Sequence, residues 1–222
     1  NQDEIRDFLR HNLHFSAEGT RSRYANYIIR RMFAEGIADT ALRSFARAFP
    51  NSTELKDVCF YRFCKAEPLM LKIAHDVLIP SLGLGRIGRG KLKDYLTHRF
   101  PQSGSIKDCT SASVEALDAA GITQSTRTEL QFRVRPIQIP SFAFILHSEF
   151  PEPGMYDIQK VETNPFLLSL LWPQEQISNA LYECRNRGWI SKVSQIDNVR
   201  QFTLRFCLDE VVPMLTKEAG NR

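Results

Sequence analysis

Hydrophobic positions recur at three-and-four spacing along most of this chain and at alternate positions only in a few short runs, which predicts a mainly α protein with small β-ribbons. Residues 1–20 carry Ile5, Phe8, Leu9, Leu13 and Phe15, enough for a short docking helix, before Glu18, Gly19 and Thr20 interrupt the pattern. Tyr24, Ile28 and Met32 then mark one buried stripe. Leu42, Phe45, Ala46 and Phe49 mark a second, with Gly36 and Pro50 as punctuation. Asn51 with Glu54 three residues on resembles a capping box, opening a helix through Leu55, Val58, Cys59 and Phe63. Pro68 suits the first turn of a further helix that runs to Leu78. These stripes predict an N-terminal helical bundle.

Beyond it the pattern occurs twice. Residues 80–90 read as a glycine-rich basic loop, and Leu92, Tyr95, Leu96 and Phe100 follow at helical spacing. Ser105 with Asp108 caps a helix whose Val114, Leu117 and Ala120 face inward, Gly121 ends it, and Ile122, a polar stretch to Arg127 and the alternating run 130–135 come next. The same order returns after Pro173. Ile177, Ala180, Leu181 and Cys184 form the inner stripe of a helix, and Gly188 follows Arg185 and Arg187, as a glycine free to take positive φ follows cations at a helix C-terminus. Residues 189–193 and 202–206 then alternate apolar with polar, with turn chemistry at Ile196, Asp197, Asn198 and Val199. That is the outline of a winged helix-turn-helix, and its repetition predicts two winged-helix-like units in tandem. The expected organisation is an N-terminal arm over 1–20, a helical domain over 21–139 holding the first unit, and a C-terminal winged helix-turn-helix domain over 140–222. Asn164 and Trp172, each preceding a proline, are expected at helix edges.

Composition narrows the classes. A formal charge of +4 over 222 residues permits a phosphate-binding patch without demanding one. The five cysteines include no Cys-x-x-Cys pair and no nearby paired histidines, so reduced thiols are expected rather than disulfides or zinc. No apolar run approaches the roughly eighteen residues of a bilayer span, and the first residues lack the order of a signal peptide. A cytoplasmic protein with no membrane partner is therefore expected.

The polar groups of the second unit are of the types that read base edges and phosphates. Asn179, Tyr182 and Arg185 are expected to border a groove and Lys192 and Arg200 on the ribbon to contact phosphate, while Glu175 and Glu183 would repel it. Arg21, Arg23, Arg30 and Arg31 form the densest basic run, interleaved with Tyr24 and Tyr27, a surface suited to phosphates or to stacking on unpaired bases, or equally a solvated helix flank. Gly83, Gly85 and Gly88 match a dinucleotide loop, and Gly85 through Gly90-Lys91 matches a phosphate-cradling loop. Leu92 stands where the latter needs Ser or Thr, however, and no strand is expected upstream. The stretch then serves as an interhelical connection that leaves Arg86, Arg89, Lys91 and Lys93 to phosphates. Only His75-Asp76 sets a histidine beside a carboxylate, and adjacent helical residues do not face each other. Neither a catalytic site, a metal, a cofactor nor a small-molecule substrate is expected.

Two segments resemble the BrxA family, small proteins of bacterial phage-exclusion (BREX) loci whose helical fold is compared with the antitermination factor NusB. One is Arg21-Ser22-Arg23-Tyr24-Ala25-Asn26-Tyr27 with Arg30-Arg31-Met32-Phe33. The other is the Ser- and Thr-bearing helix from Ser105 to Gly121-Ile122. The resemblance implies a non-catalytic accessory protein that binds DNA, or RNA, and works beside other defence-system proteins. It supplies no active-site signature to transfer. The alternatives are an assembly adaptor for larger defence enzymes and a nucleotide-binding enzyme that uses residues 83–91.

Overall fold

Helices form wherever the three-and-four period is continuous, and a computed structural model describes them within residues 2–33, 39–196 and 199–219. α1 (Gln2–Asn12) and α2 (Glu18–Met32) pack side by side, and α1 buries no residue fully. Residues 18–20 do not interrupt the helical pattern but form the first turn of α2, where Glu18 meets the positive end of the helix. Within α2 the buried residues are Ala25 and Ile29, one position round from the expected stripe, because this helix lies between α1 and α4. Gly36 lies outside the described residues.

α3 (Thr40–Ala48) is capped by Asp39, whose carboxylate accepts from the Leu42 amide at 2.8 Å. The cap of α4 (Thr53–Ala66) is Ser52, accepting from the Leu55 amide at 3.1 Å, and not Asn51. Asn51 instead takes φ 55°, a left-handed conformation asparagine tolerates, and this turns the chain between the two helices. α5 (Pro68–Ile73) continues through a π turn, Ala74–Leu78, and a 3-10 turn, Ile79–Leu84. Pro80 therefore does not stop the helical run. It sits in the first turn of the tighter segment, where its missing N–H costs little.

The glycine-rich stretch is not a loop. Gly85, at φ 68°, ends the helical run and β1 (Arg86–Gly88) follows, placing Ile87 opposite Leu130 in an antiparallel pair. α6 (Arg89–Arg99), α7 (Ile106–Ala119), β2 (Thr123–Ser125) and β3 (Glu129–Phe132) complete the unit. The Ser105 side chain makes no capping bond to α7. The second unit runs α8 (Ile139–Glu149), β4 (Gly154–Asp157), α9 (Ile158–Glu162), α10 (Pro165–Ser169), α11 (Gln174–Asn186), β5 (Lys192–Ile196) and β6 (Val199–Leu204). Asn164 caps α10, accepting from the Phe166 and Leu167 amides. The ribbon begins later than the alternation suggests, because Trp189 and Ile190 turn into the core before pairing starts. The centre of its turn, 197–198, lies outside the described residues.

The two sheets have the same antiparallel order, β1-β3-β2 and β4-β6-β5, each built from a helix, a strand, helices and two further strands. The long helices before the ribbons also end alike. Gly121 and Gly188 take φ 70° and 74°, and the next residue bonds back into the helix, Ile122 to the Leu117 carbonyl at 3.0 Å and Trp189 to that of Cys184 at 2.9 Å. The chain is thus mainly α with two winged-helix-like units.

One hydrophobic core runs through both units, including Phe45, Phe142, Phe144, Leu117 and Phe202. α12 (Leu208–Ala219) packs on both α3 and α8. Between the units, buried Asp57 pairs with Arg135 at 2.7 Å and accepts from Ser141 at 2.9 Å, tying α4, the 133–138 connection and α8 together. Among the described residues no disulfide forms, and Cys64 and Cys184 are buried thiols while Cys59, Cys109 and Cys207 are partly covered. No helix among them is long and apolar enough to cross a membrane.

Candidate nucleic-acid interface

α11 buries Ile177, Ala180, Leu181 and Cys184, and at 3.6 residues per turn that stripe turns Glu175, Asn179 and Asn186 outward, while Tyr182 is half-buried against the core. Gln176 lies on the flank instead, where its side-chain oxygen accepts from the Ile137 amide at 3.2 Å and anchors the connection between units. Arg185 lies 5.1 Å over the Tyr182 ring and donates to Asn186 at 2.9 Å, so its guanidinium is held flat against the helix. Asn179 has no partner among the described residues, so its amide is open to a ligand. Of the two repelling carboxylates, Glu183 lies 3.9 Å from Arg187, whereas Glu175 has no partner among the described residues. Burial pushes the Cys184 thiol up, which keeps it a protonated core group and not a nucleophile.

On the ribbon the two expected phosphate contacts differ. Lys192 is exposed and has no ion pair among the described residues. Arg200 points its fork at Glu162, at 3.0 and 2.6 Å, and touches Ser178 at 3.5 Å, so its charge is already answered. The Glu162 hydrogen bond holds its guanidinium still further above the usual range. Arg200 fastens the ribbon to α9 and α11 and does not offer itself to phosphate.

Most of the other basic candidates are likewise engaged within the chain. Arg21 donates to the Phe15 and Ser16 carbonyls and closes the turn between α1 and α2. Arg30 and Arg31 share Glu67, Arg31 at 3.0 Å. Arg23 remains exposed beside the Tyr24 ring. In the first unit Arg86 pairs with Glu129 at 3.2 Å, Arg89 donates to Ser125 at 2.9 Å, and Lys91 donates to Ser81 at 2.7 Å. Lys93 alone of these four has no side-chain partner among the described residues. Arg86, Arg89 and Lys91 therefore brace β1 and the start of α6, the role a short strand between two helices demands. The outward face of α7, the counterpart of α11, carries Asp108, Ser111, Ala112 and Glu115 and so offers less to a base edge.

The structure forms no dyad at His75-Asp76. His75 bonds the Pro165 carbonyl at 2.9 Å, and Asp76 accepts from Tyr95 at 2.6 Å. Among the described residues no group of three or more His, Cys, Asp or Glu is placed to hold a metal ion. Sequence reading passed over Lys56 and Arg133, which line one basic pocket with Arg135. Far apart along the chain, they give no linear signal. No protein-family model matches the chain, and neither a curated protein nor a solved structure matches it significantly.

Proposed function

We propose that the protein binds nucleic acid, duplex DNA first, without performing chemistry on it, as a cytoplasmic accessory protein of a BREX phage-defence system. The observation that carries the DNA reading is α11. Its inner stripe is fully used in the core, and Asn179 and Arg185 stand exposed beside half-buried Tyr182 and a ribbon whose Lys192 has no ion pair among the described residues. A helix so placed before a two-stranded wing fits a major groove, with the wing against the backbone. The defence role is supported by the resemblance of residues 21–33 and 105–122 to the BrxA family. A salt-titrated gel shift with duplex DNA, single strands and RNA tests it. Asn179→Ala with Arg185→Ala should weaken duplex binding about tenfold or more, since a base contact contributes about 1–3 kcal/mol. Full affinity at physiological salt refutes the assignment.

A second reading, an assembly adaptor, draws on exposed apolar side chains around the second sheet, Met155 on β4 and Ile196 and Val199 at the ribbon tip. Size-exclusion chromatography with DNA and with defence-system proteins separates the two.

A further inference from the structure

A groove of about 680 Å³ runs between α2, α4 and α7, well within the range of pockets that hold small organic groups. Tyr24 and Tyr27 of α2 and Phe63 of α4 line one side, and Ala112, Ala116 and Ala119 of α7 line the other. The alanines keep the space open, because the side chains opposite the rings end at Cβ. Tyr24 and Tyr27 remain 41% and 38% exposed, with their rings 6.2 Å apart and edge-on. Arg31 lies 5.0 Å over Tyr27 and 4.8 Å over Phe63, adding a cation to the aromatic wall.

At the N-terminus of α4 the groove meets a second pocket of about 360 Å³, and Lys56 and Ala120 line both. The chemistry changes there. Lys56, Arg133 and Arg135 surround Thr53 in the first turn of a fourteen-residue helix, and no carboxylate lines this pocket among the described residues. Lys56 has no partner among those residues, and Arg133 holds only Gln124, at 2.8 Å. Arg135 is fixed by Asp57 and by the Ala120 carbonyl at 3.2 Å, while its Nη2 is buried with no acceptor among the described residues. The positive end of α4 adds to the same field.

We propose that this composite cleft holds an unpaired nucleotide of a nucleic-acid strand, with the base against Tyr27 in the groove and its phosphate at Lys56, Arg133 and Arg135. Charge complementarity selects this occupant. A wholly apolar partner leaves Lys56 and Arg133 unanswered, and a base inside a duplex has both faces stacked on its neighbours. Glu115 lines the groove and not the basic pocket, so the phosphate belongs at the Lys56 end. The site shares no residue with α11 and stands whether or not α11 reads duplex DNA.

Fluorescence anisotropy with labelled dT12 and with a blunt duplex of the same length tests this. Tyr27→Leu, and Ala112→Phe filling the groove from the exposed side of α7, should each weaken dT12 binding about tenfold and leave the duplex unaffected. Lys56→Ala with Arg133→Ala should flatten the dT12 salt dependence by about 0.7 for each cation removed. Arg135 is left intact because Asp57 depends on it, and circular dichroism melting confirms that each variant is folded. Wild-type dT12 affinity in all three variants overturns the proposal, as does loss of dT12 binding only in the Asn179 and Arg185 variant. Displacement of dT12 from the cleft by millimolar AMP overturns the strand assignment in favour of free mononucleotides.

Discussion

Arg135→Met should be among the most destabilising single substitutions in the chain, and the reason lies in Asp57. The Asp57 side chain is 1% exposed, and its polar contacts are Arg135 at 2.7 Å and Ser141 at 2.9 Å. Burial pushes its carboxyl above the usual range even with the guanidinium and hydroxyl pulling the other way. Removing the cation leaves an uncompensated buried charge, which costs about 3–5 kcal/mol, and deleting the bond to the Ala120 carbonyl adds about 1 kcal/mol. With a urea m-value of about 2–3 kcal/mol/M, the unfolding midpoint should fall by about 1.3–3 M. Adding Asp57→Asn removes the stranded charge and should recover most of the loss, because deleting both partners of a buried pair is far milder than deleting one. A raised folded value means that the Asp57 charge costs stability as pH rises through 3.8 and above, so the deficit of the single variant should shrink on acidification. A midpoint shift below about 0.3 M, or a double variant as unstable as Arg135→Met, refutes the reasoning.

Other outcomes follow from the same geometry. Lys192→Ala should flatten the salt dependence of duplex binding by about 0.9, whereas Arg200→Ala should leave the slope alone because Glu162 already holds that charge; gel shifts at several salt concentrations compare them. Gly188→Ala should cost about 1–2 kcal/mol in urea unfolding purely through its positive φ, since a Cβ there meets nothing within 4 Å, and Gly188→Asn should cost less. His147 is fully buried, and burial lowers its folded value below 6.5 despite a bond to the Ala143 carbonyl at 2.8 Å. The neutral ring's contribution is therefore complete above pH 6.5 and is lost as pH falls from there through the folded value. Urea midpoints across that window should decline in the native protein and flatten in His147→Gln.

Legibility followed the range of the interactions. The α11 stripe, the glycine stops at Gly121 and Gly188 and the helix edge at Asn164 were readable because each rests on neighbours a few residues away. β1, β2 and β4 were not, because three or four residues such as Arg86, Ile87 and Gly88 have no periodicity of their own and become a strand only when β3 lies alongside. Asn51 misled because two adjacent polar residues both suit a cap, and backbone geometry chose Ser52. Arginines were legible as charges but not as partners. Nothing near Arg200 in the sequence announces Glu162, and nothing near Lys56 announces Arg133.

The sequence by itself determined most of the helices, the stops at Gly121 and Gly188 and the doubled order of helix, glycine and ribbon, since helical backbone hydrogen bonds reach only four or five residues and alternation marks a strand locally. The tertiary structure alone decided which cations are consumed in ion pairs and which stay open. It also decided that an aromatic wall on α2 would face alanines on α7 beside a basic pocket. Those outcomes depend on groups that come within a few ångströms only after the core between them has closed.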